Sequence, residues 1–243
     1  MSDRALAERL VRTAGAIALD LRGVTATVKG DATDVATEAD VRAEAALLEL
    51  LRTERPADGV LGEEGADVPG GERRWLLDPV DGTLNYAAGL PAWCAAVVLM
   101  DAAGPLACAI FDPVHGELFS AGRGEGATLD GAPLTVADPP ALAGATVATF
   151  VDVRRRAPEL AARTTALLGE VGALRAVGCG SLELAWLAAG RLHGWVQADV
   201  EPWDWHPGAL LVAEAGGRTR VAGRWHAAAT GATLVDELLA SGS

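Results

Sequence analysis

The stretch from residue 75 to 91, WLLDPVDGTLNYAAGLP, constrains this chain more than any other. Trp75, Leu76 and Leu77 form a short apolar run suited to a buried strand. Asp78 with Pro79 behind it, a residue that cannot continue a ladder, predicts that the strand stops there and aims Asp78 at solvent. Asp81, Gly82 and Thr83 then put a second carboxylate, a residue free to take positive φ and a hydroxyl into one tight turn. Carboxylates that close repel each other, and a hard cation between them relieves the repulsion. The bland alternative is a turn with two solvated acids.

With 243 residues the chain can bury a sizeable core, and half of them are hydrophobic, as in a soluble globular protein. Cys94, Cys108 and Cys179 are unclustered and odd in number, which favours a reducing compartment over a disulfide framework. No leader pattern opens the chain and no uncharged apolar run is long enough to span a bilayer, so a cytoplasmic protein is expected. The formal charge of −13 argues against nucleic acid or an anionic membrane as the main partner. Acidic groups that hold divalent metal would nonetheless let an anionic substrate dock among them. Lys29 is the only lysine.

Apolar spacing predicts a helix over 3–22. Thr37 and Asp40 have the spacing of a capping box opening a second helix that ends near Arg55-Pro56. Val60-Leu61 is a brief strand stopped by Gly62-Glu63-Glu64-Gly65, where at least one glutamate faces solvent or a metal. Strands over 94–100, 106–111, 117–121 and 127–129, separated by Gly-rich turns, read as an antiparallel meander. The segment GRGEG (122–126) lacks the features of a phosphate loop and is assigned to a hairpin.

Asp138-Pro139-Pro140 marks the boundary between an N-terminal α+β subdomain (1–140) and a C-terminal α/β subdomain (141–243). Beyond it come a strand over 145–151, a helix over 158–171, a strand over 174–177, a helix over 181–189 and a strand over 194–200. This alternation implies a partly parallel sheet, with ligands at strand C-termini and helix N-termini. A helix over 208–215 follows, with Asp204 at its start and Pro207 in its first turn. His206 is read as packed or solvated rather than as a base, and residues 230–239 as a last strand and short helix.

Four acidic turns therefore end apolar elements: Thr37-Glu38-Ala39-Asp40, Gly62-Glu63-Glu64, Asp78-Pro-Val-Asp81-Gly-Thr83 and Trp203-Asp204. In order and spacing they resemble the inositol monophosphatase family of magnesium-dependent, lithium-sensitive phosphomonoesterases. DPVDGTLNY is similar to that family's DP-(Ile/Val/Leu)-DGT-x-Asn-(Phe/Tyr), and PWDWHPGALLVAEAGG to its Trp-Asp signature. The resemblance extends over effectively the whole chain. It implies a layered αβαβα sandwich of mixed α+β and α/β character, with an antiparallel N-terminal sheet and a mixed C-terminal one.

The same resemblance implies that Glu63, Asp78 and the carbonyl of Val80 ligate one Mg²⁺, that Asp78, Asp81 and Asp204 hold a second, and that Glu63 helps hold a third. Oxygen-only ligands agree with that metal and not with zinc. It further implies catalytic roles for Asp40, Thr83 and Glu63, with water oriented by Thr83 paired to Asp40 attacking phosphorus in line. Phosphate would lie on the backbone N–H groups of Gly82 and Thr83, with Lys29 near the metals. Cys179, Gly180, Gln197 and Asp204 would contact the substrate.

Gln197 stands where the family often has glutamate, with Asp199 or Glu201 as substitutes, so inositol phosphate, histidinol phosphate and 3′-phosphoadenosine 5′-phosphate all remain open. The expected partners are a small phosphate monoester and a second copy of the chain. A different class is also open: some bacterial relatives touch the transcription machinery, so the chain could be a dimeric interaction protein with vestigial catalysis.

Overall fold

A computed structural model describes residues 1–22, 26–28, 35–150 and 158–241; of 26–28, 35–36 and 158–160 it describes the backbone. Lys29 and the polar loop around it lie outside the described residues. In chain order the elements are α1 (Asp3–Asp20), β1 (Ala26–Val28), β2 (Val35–Thr37), α2 (Glu38–Glu54), β3 (Gly59–Gly62), β4 (Asp67–Val68), β5 (Arg74–Asp81), α3 (Thr83–Ala87), β6 (Cys94–Asp101), β7 (Gly104–Asp112), β8 (Glu117–Gly122), β9 (Gly126–Leu129) and β10 (Ala132–Pro133). They continue with β11 (Thr146–Ala148), α4 (Pro158–Glu170), β12 (Ala173–Arg175), α5 (Gly180–Ala188), β13 (Gly194–Ala198), α6 (Pro202–Glu214), β14 (Arg218–Ala222), β15 (Trp225–Ala229) and α7 (Ala232–Ala240).

Eight strands form one sheet in the order β10-β9-β8-β7-β6-β5-β3-β4, and five form another in the order β12-β11-β13-β15-β14. Period-two alternation fixes which side chains each face of the first sheet buries. Ala95, Val97 and Leu99 meet Leu6, Leu10 and Leu47 of α1 and α2. Cys94, Ala96 and Val98 meet α5 and α6, which also cover Trp195 and Ala228 of the second sheet. Val147, Val196 and Ala227 turn the other way, into a core closed by Leu167 of α4 and Leu234 and Leu238 of α7. The layers are therefore helix, sheet, helix, sheet, helix, as expected from the resemblance.

Three details depart from expectation. The first sheet is antiparallel except that β3 runs parallel to β5, so it is mixed as well. Helix α6 starts at Pro202, six residues before the predicted start, with that proline in the first turn and Pro207 inside the helix. The hairpin β14–β15, turning at Gly223, was not expected at all.

Candidate active site

The central motif does not end its strand at Asp78. β5 continues through Pro79 to Asp81, and its register with β6 shifts on the way: Asp78 lies opposite Ala96 and Asp81 opposite Cys94. Three residues on one strand thus span two on the other, which is a bulge, and Pro79 is tolerated because a bulge does not require its missing N–H. In a regular strand, residues three apart face opposite sides. The extra residue puts Asp78 and Asp81 on one face, the side covered by α5 and α6. The expectation that Asp78 points to solvent is corrected: it is 1% exposed, and its carboxylate accepts the N–H of Val80 at 3.1 Å.

Carboxylate oxygens of Asp78, Asp81 and Asp204 come within 4.8 Å of one another. Asp204 reaches them from the first turn of α6. Glu63, just past β3, is fixed by its N–H bond to the Leu77 carbonyl at 3.1 Å. Glu63 and Asp204 both lie close enough to Asp78 for their charges to act on it. All four acids are pushed upward, first by burial. For Asp78 the next causes are the charges of Glu63, Asp81 and Asp204; for Asp204 they are Asp81 and Glu63. Glu63 is raised to about 7 by burial and then by Glu64. Asp81 is raised by burial against the opposing pull of hydrogen bonds from Ser181 and Cys179. Carboxylates in such a group share protons or a cation, because all four cannot ionise alone in a dry site.

The turn after β5 supplies the remaining groups. Gly82 takes φ 87°, and a Cβ there would stand 3.0 Å from the Ala92 carbonyl and 3.1 Å from Cys179 Cβ. Only glycine permits both the left-handed conformation and that approach. Thr83 opens α3, and its hydroxyl lies 2.9 Å from the Val80 carbonyl and 3.4 Å from Asp40 Oδ1. The expected Thr83–Asp40 pairing is present, with the tighter bond going to Val80. Asp40 is buried at the start of α2, where it also closes the capping box by accepting the N–H of Thr37 at 2.9 Å and its hydroxyl. Capping and pairing to Thr83 use opposite oxygens, so the two roles are compatible.

Cys179 caps α5 and its thiol lies 3.3 Å from the Asp81 carbonyl. Gly180 follows; a Cβ on it would be 3.9 Å from Gln197 Oε1, so these two candidate substrate contacts are neighbours. Asp199 is bound to Arg224 in an ion pair, which disfavours it as a substitute for the family glutamate. His206 is lowered by burial and by His226, in keeping with a packed residue.

Two supporting acids were missed by the sequence reading. Glu44 of α2 accepts the N–H groups of Glu64 and Ala66, each at 3.0 Å, and so holds the turn that carries Glu63. Glu183 of α5 accepts the N–H of Val177 at 2.9 Å and Trp195 Nε1 at 3.0 Å, fixing the loop before α5. Asn85 braces the same loop by donating to the carbonyls of Ala92 and Val177, each at 2.8 Å.

Comparison with known proteins gives the family. Residues 2–238 match the Inositol monophosphatase family. The inositol-1-monophosphatase of Rhizobium meliloti is 36% identical over 202 residues, 82% of this chain and 76% of that protein. The Nus factor SuhB of Xylella fastidiosa is 38% identical over 187 residues, 76% of this chain and 68% of that protein. The crystal structure of the extragenic suppressor protein SuhB of Bartonella henselae superimposes with a TM-score of 0.91 at 27% identity, covering 96% of this chain and 95% of that one. The layered fold of two sheets and their covering helices is shared with that solved structure. The chain belongs to the inositol monophosphatase family, which supports a phosphatase-type function.

Proposed function

We propose that this chain is a Mg²⁺-dependent phosphomonoesterase acting on a small phosphorylated alcohol such as an inositol monophosphate. One observation carries the reading: acids from positions 78, 81 and 204 bring their oxygens within 4.8 Å of one another, with Glu63 close enough for its charge to act on Asp78. The donor set fits a hard cation, since it is all oxygen and the strongest charges acting on Asp78 and Asp204 come from other members of the set. Glu63, Asp78, Asp81, Asp204 and the Val80 carbonyl would hold two or three Mg²⁺, and Li⁺ inhibition is expected. Magnesium bound there supplies an acidified water and charge to offset the phosphate.

The chain's own residues supply placement. Thr83, buttressed by Asp40, orients the attacking water, and Glu63 lies on the same side. The N–H groups of Gly82 and Thr83 face the phosphate position. Cys179, Gly180, Gln197 and Asp204 line the side of the leaving alcohol, where the neutral Gln197 amide accepts fewer hydrogen bonds from hydroxyls than a carboxylate would. Histidinol phosphate and 3′-phosphoadenosine 5′-phosphate are the alternative substrates. Family resemblance supports a homodimer, and the cysteine usage supports the cytoplasm; among the described residues no helix is long and apolar enough to cross a membrane.

A second reading, an interaction protein with vestigial catalysis, is favoured by the name Nus factor borne by several relatives. Retention of the whole acidic set, costly to bury together, weighs for the catalyst. Phosphate release from the three substrate types, with and without Mg²⁺, separates the readings. Mg²⁺-dependent turnover that Li⁺ suppresses supports the phosphatase; no release from any of them leaves the interaction reading in its place.

A further inference from the structure

Asp81 also belongs to a second cluster, in which two cysteines set sulfur atoms beside its carboxylate. Cys94 stands directly opposite it on β6, and Cys179 reaches it from the mouth of α5. The two sulfur atoms are 3.6 Å apart, and together with an Asp81 carboxylate oxygen all three ligand atoms lie within 4.8 Å of one another. Thiolates on a tetrahedral ion, each at about 2.3 Å, sit roughly 3.8 Å apart. The sulfurs are thus already at the separation that such an ion requires, and the carboxylate supplies a third ligand without rearranging the sheet.

We propose that Cys94, Cys179 and Asp81 form a binding site for a thiophilic divalent cation of the zinc and cadmium class. Soft sulfur ligands select such ions and reject magnesium, so this site and the carboxylate group differ in preference although they share one residue. Binding forms two metal–sulfur bonds and one metal–oxygen bond and releases the two thiol protons to solvent. Sharing Asp81 makes the sites antagonistic, a consequence that rests on the phosphatase reading. An ion held by the cysteines draws Asp81 away from magnesium, so traces of a thiophilic metal would switch the enzyme off.

The test uses the reduced full-length protein and Cd²⁺ as the probe, following the ultraviolet sulfur-to-cadmium charge-transfer absorption without substrate. One equivalent of Cd²⁺ is expected to produce the band in wild type and in Cys108→Ala, whose missing thiol lies elsewhere, on β7 opposite Ala121. Cys94→Ala is expected to abolish it, as is Cys179→Ser, which stays close to the native shape; circular dichroism confirms that each variant is folded. Absence of the band in wild type, or its survival in folded Cys94→Ala, overturns the site. Excess Mg²⁺ is expected to raise the Cd²⁺ midpoint several-fold, and a midpoint indifferent to Mg²⁺ overturns the shared role of Asp81. Neither readout needs turnover, so failure here is distinguishable from failure of the phosphatase reading, which phosphate release decides.

Discussion

The carboxylate of Asp81 accepts the backbone N–H of Ser181 at 2.6 Å across one hundred residues of chain. This contact joins the bulged end of β5 to the mouth of α5, where the helix dipole favours negative charge. Asp81 therefore serves two ends, anchoring a helix and contributing charge to the acidic group, and the two can be separated by substitution.

Asp81→Asn keeps an oxygen that can accept the Ser181 N–H but removes the charge. Turnover is expected to fall by on the order of 10³-fold or more, because a site that stabilises phosphate charge by several kcal/mol loses a ligand. The melting temperature of the metal-free protein should rise, since a buried repulsive acid has gone, and the stabilisation by added Mg²⁺ should shrink. Calorimetry with and without Mg²⁺ beside a phosphate assay reads all three. Substantial Mg²⁺-dependent turnover in the variant would count against the assignment.

Glu44 and Gly62 form a second testable pair. A Cβ on Gly62 would stand 2.0 Å from Glu44 Oε2, so the glycine exists to let this glutamate reach the Glu64 and Ala66 amides. Glu44→Ala should cost about 1–3 kcal/mol for the amides left unbonded. Gly62→Ala should be markedly less harmful in the Glu44→Ala background, with a coupling of about 0.5–3 kcal/mol in a denaturation cycle. Simple additivity would show that the contact does not hold the Glu63 turn.

Gln197→Glu tests the substrate side. If the leaving alcohol offers several hydroxyls beside Gly180, a charged acceptor strengthens its hydrogen bonds. We expect kcat/KM for inositol monophosphate to rise roughly tenfold, equivalent to about 1.4 kcal/mol, with histidinol phosphate unimproved. A fall on every substrate would move Gln197 out of the pocket's recognition role.

What the sequence exposed and what it hid divide along a physical line. The capping box at Thr37 and Asp40, the meander and the two acidic signatures depend on neighbours within a few residues, and those are legible in order. The bulge at Pro79 was hidden because the same proline signals a strand end unless the partner strand is known. Pro207 misled for a related reason: Pro202 satisfies the first-turn preference equally well, and burial of Trp205 and Leu210 extends α6 back to it. Glu44 and Glu183 resemble ordinary helix-surface acids in one dimension. Their partners, the amides of Glu64 and Val177, become visible only when the chain has folded back. Gly62, a glycine at the end of a short strand, was the one available hint for Glu44.

Glu183 yields a prediction in which the sign matters. Burial, the largest cause, raises it to about 8 from a usual 4.5, against the opposing bonds from Val177 and Trp195. A carboxyl raised on folding gives stability that is complete below about 4.5 and is lost as pH climbs through about 8. Wild type should therefore lose melting temperature between these limits as the buried charge forms. Glu183→Gln cannot ionise, but its amide must turn one N–H donor toward another, costing about 1–3 kcal/mol at low pH. The gap between the two proteins should be widest near pH 5 and close, or reverse, above pH 8. Melting curves across that range with saturating Mg²⁺ in both samples cancel the contribution of the metal-site acids. Parallel curves would mean that Glu183 is ionised throughout and that its two hydrogen bonds, rather than burial, set its charge.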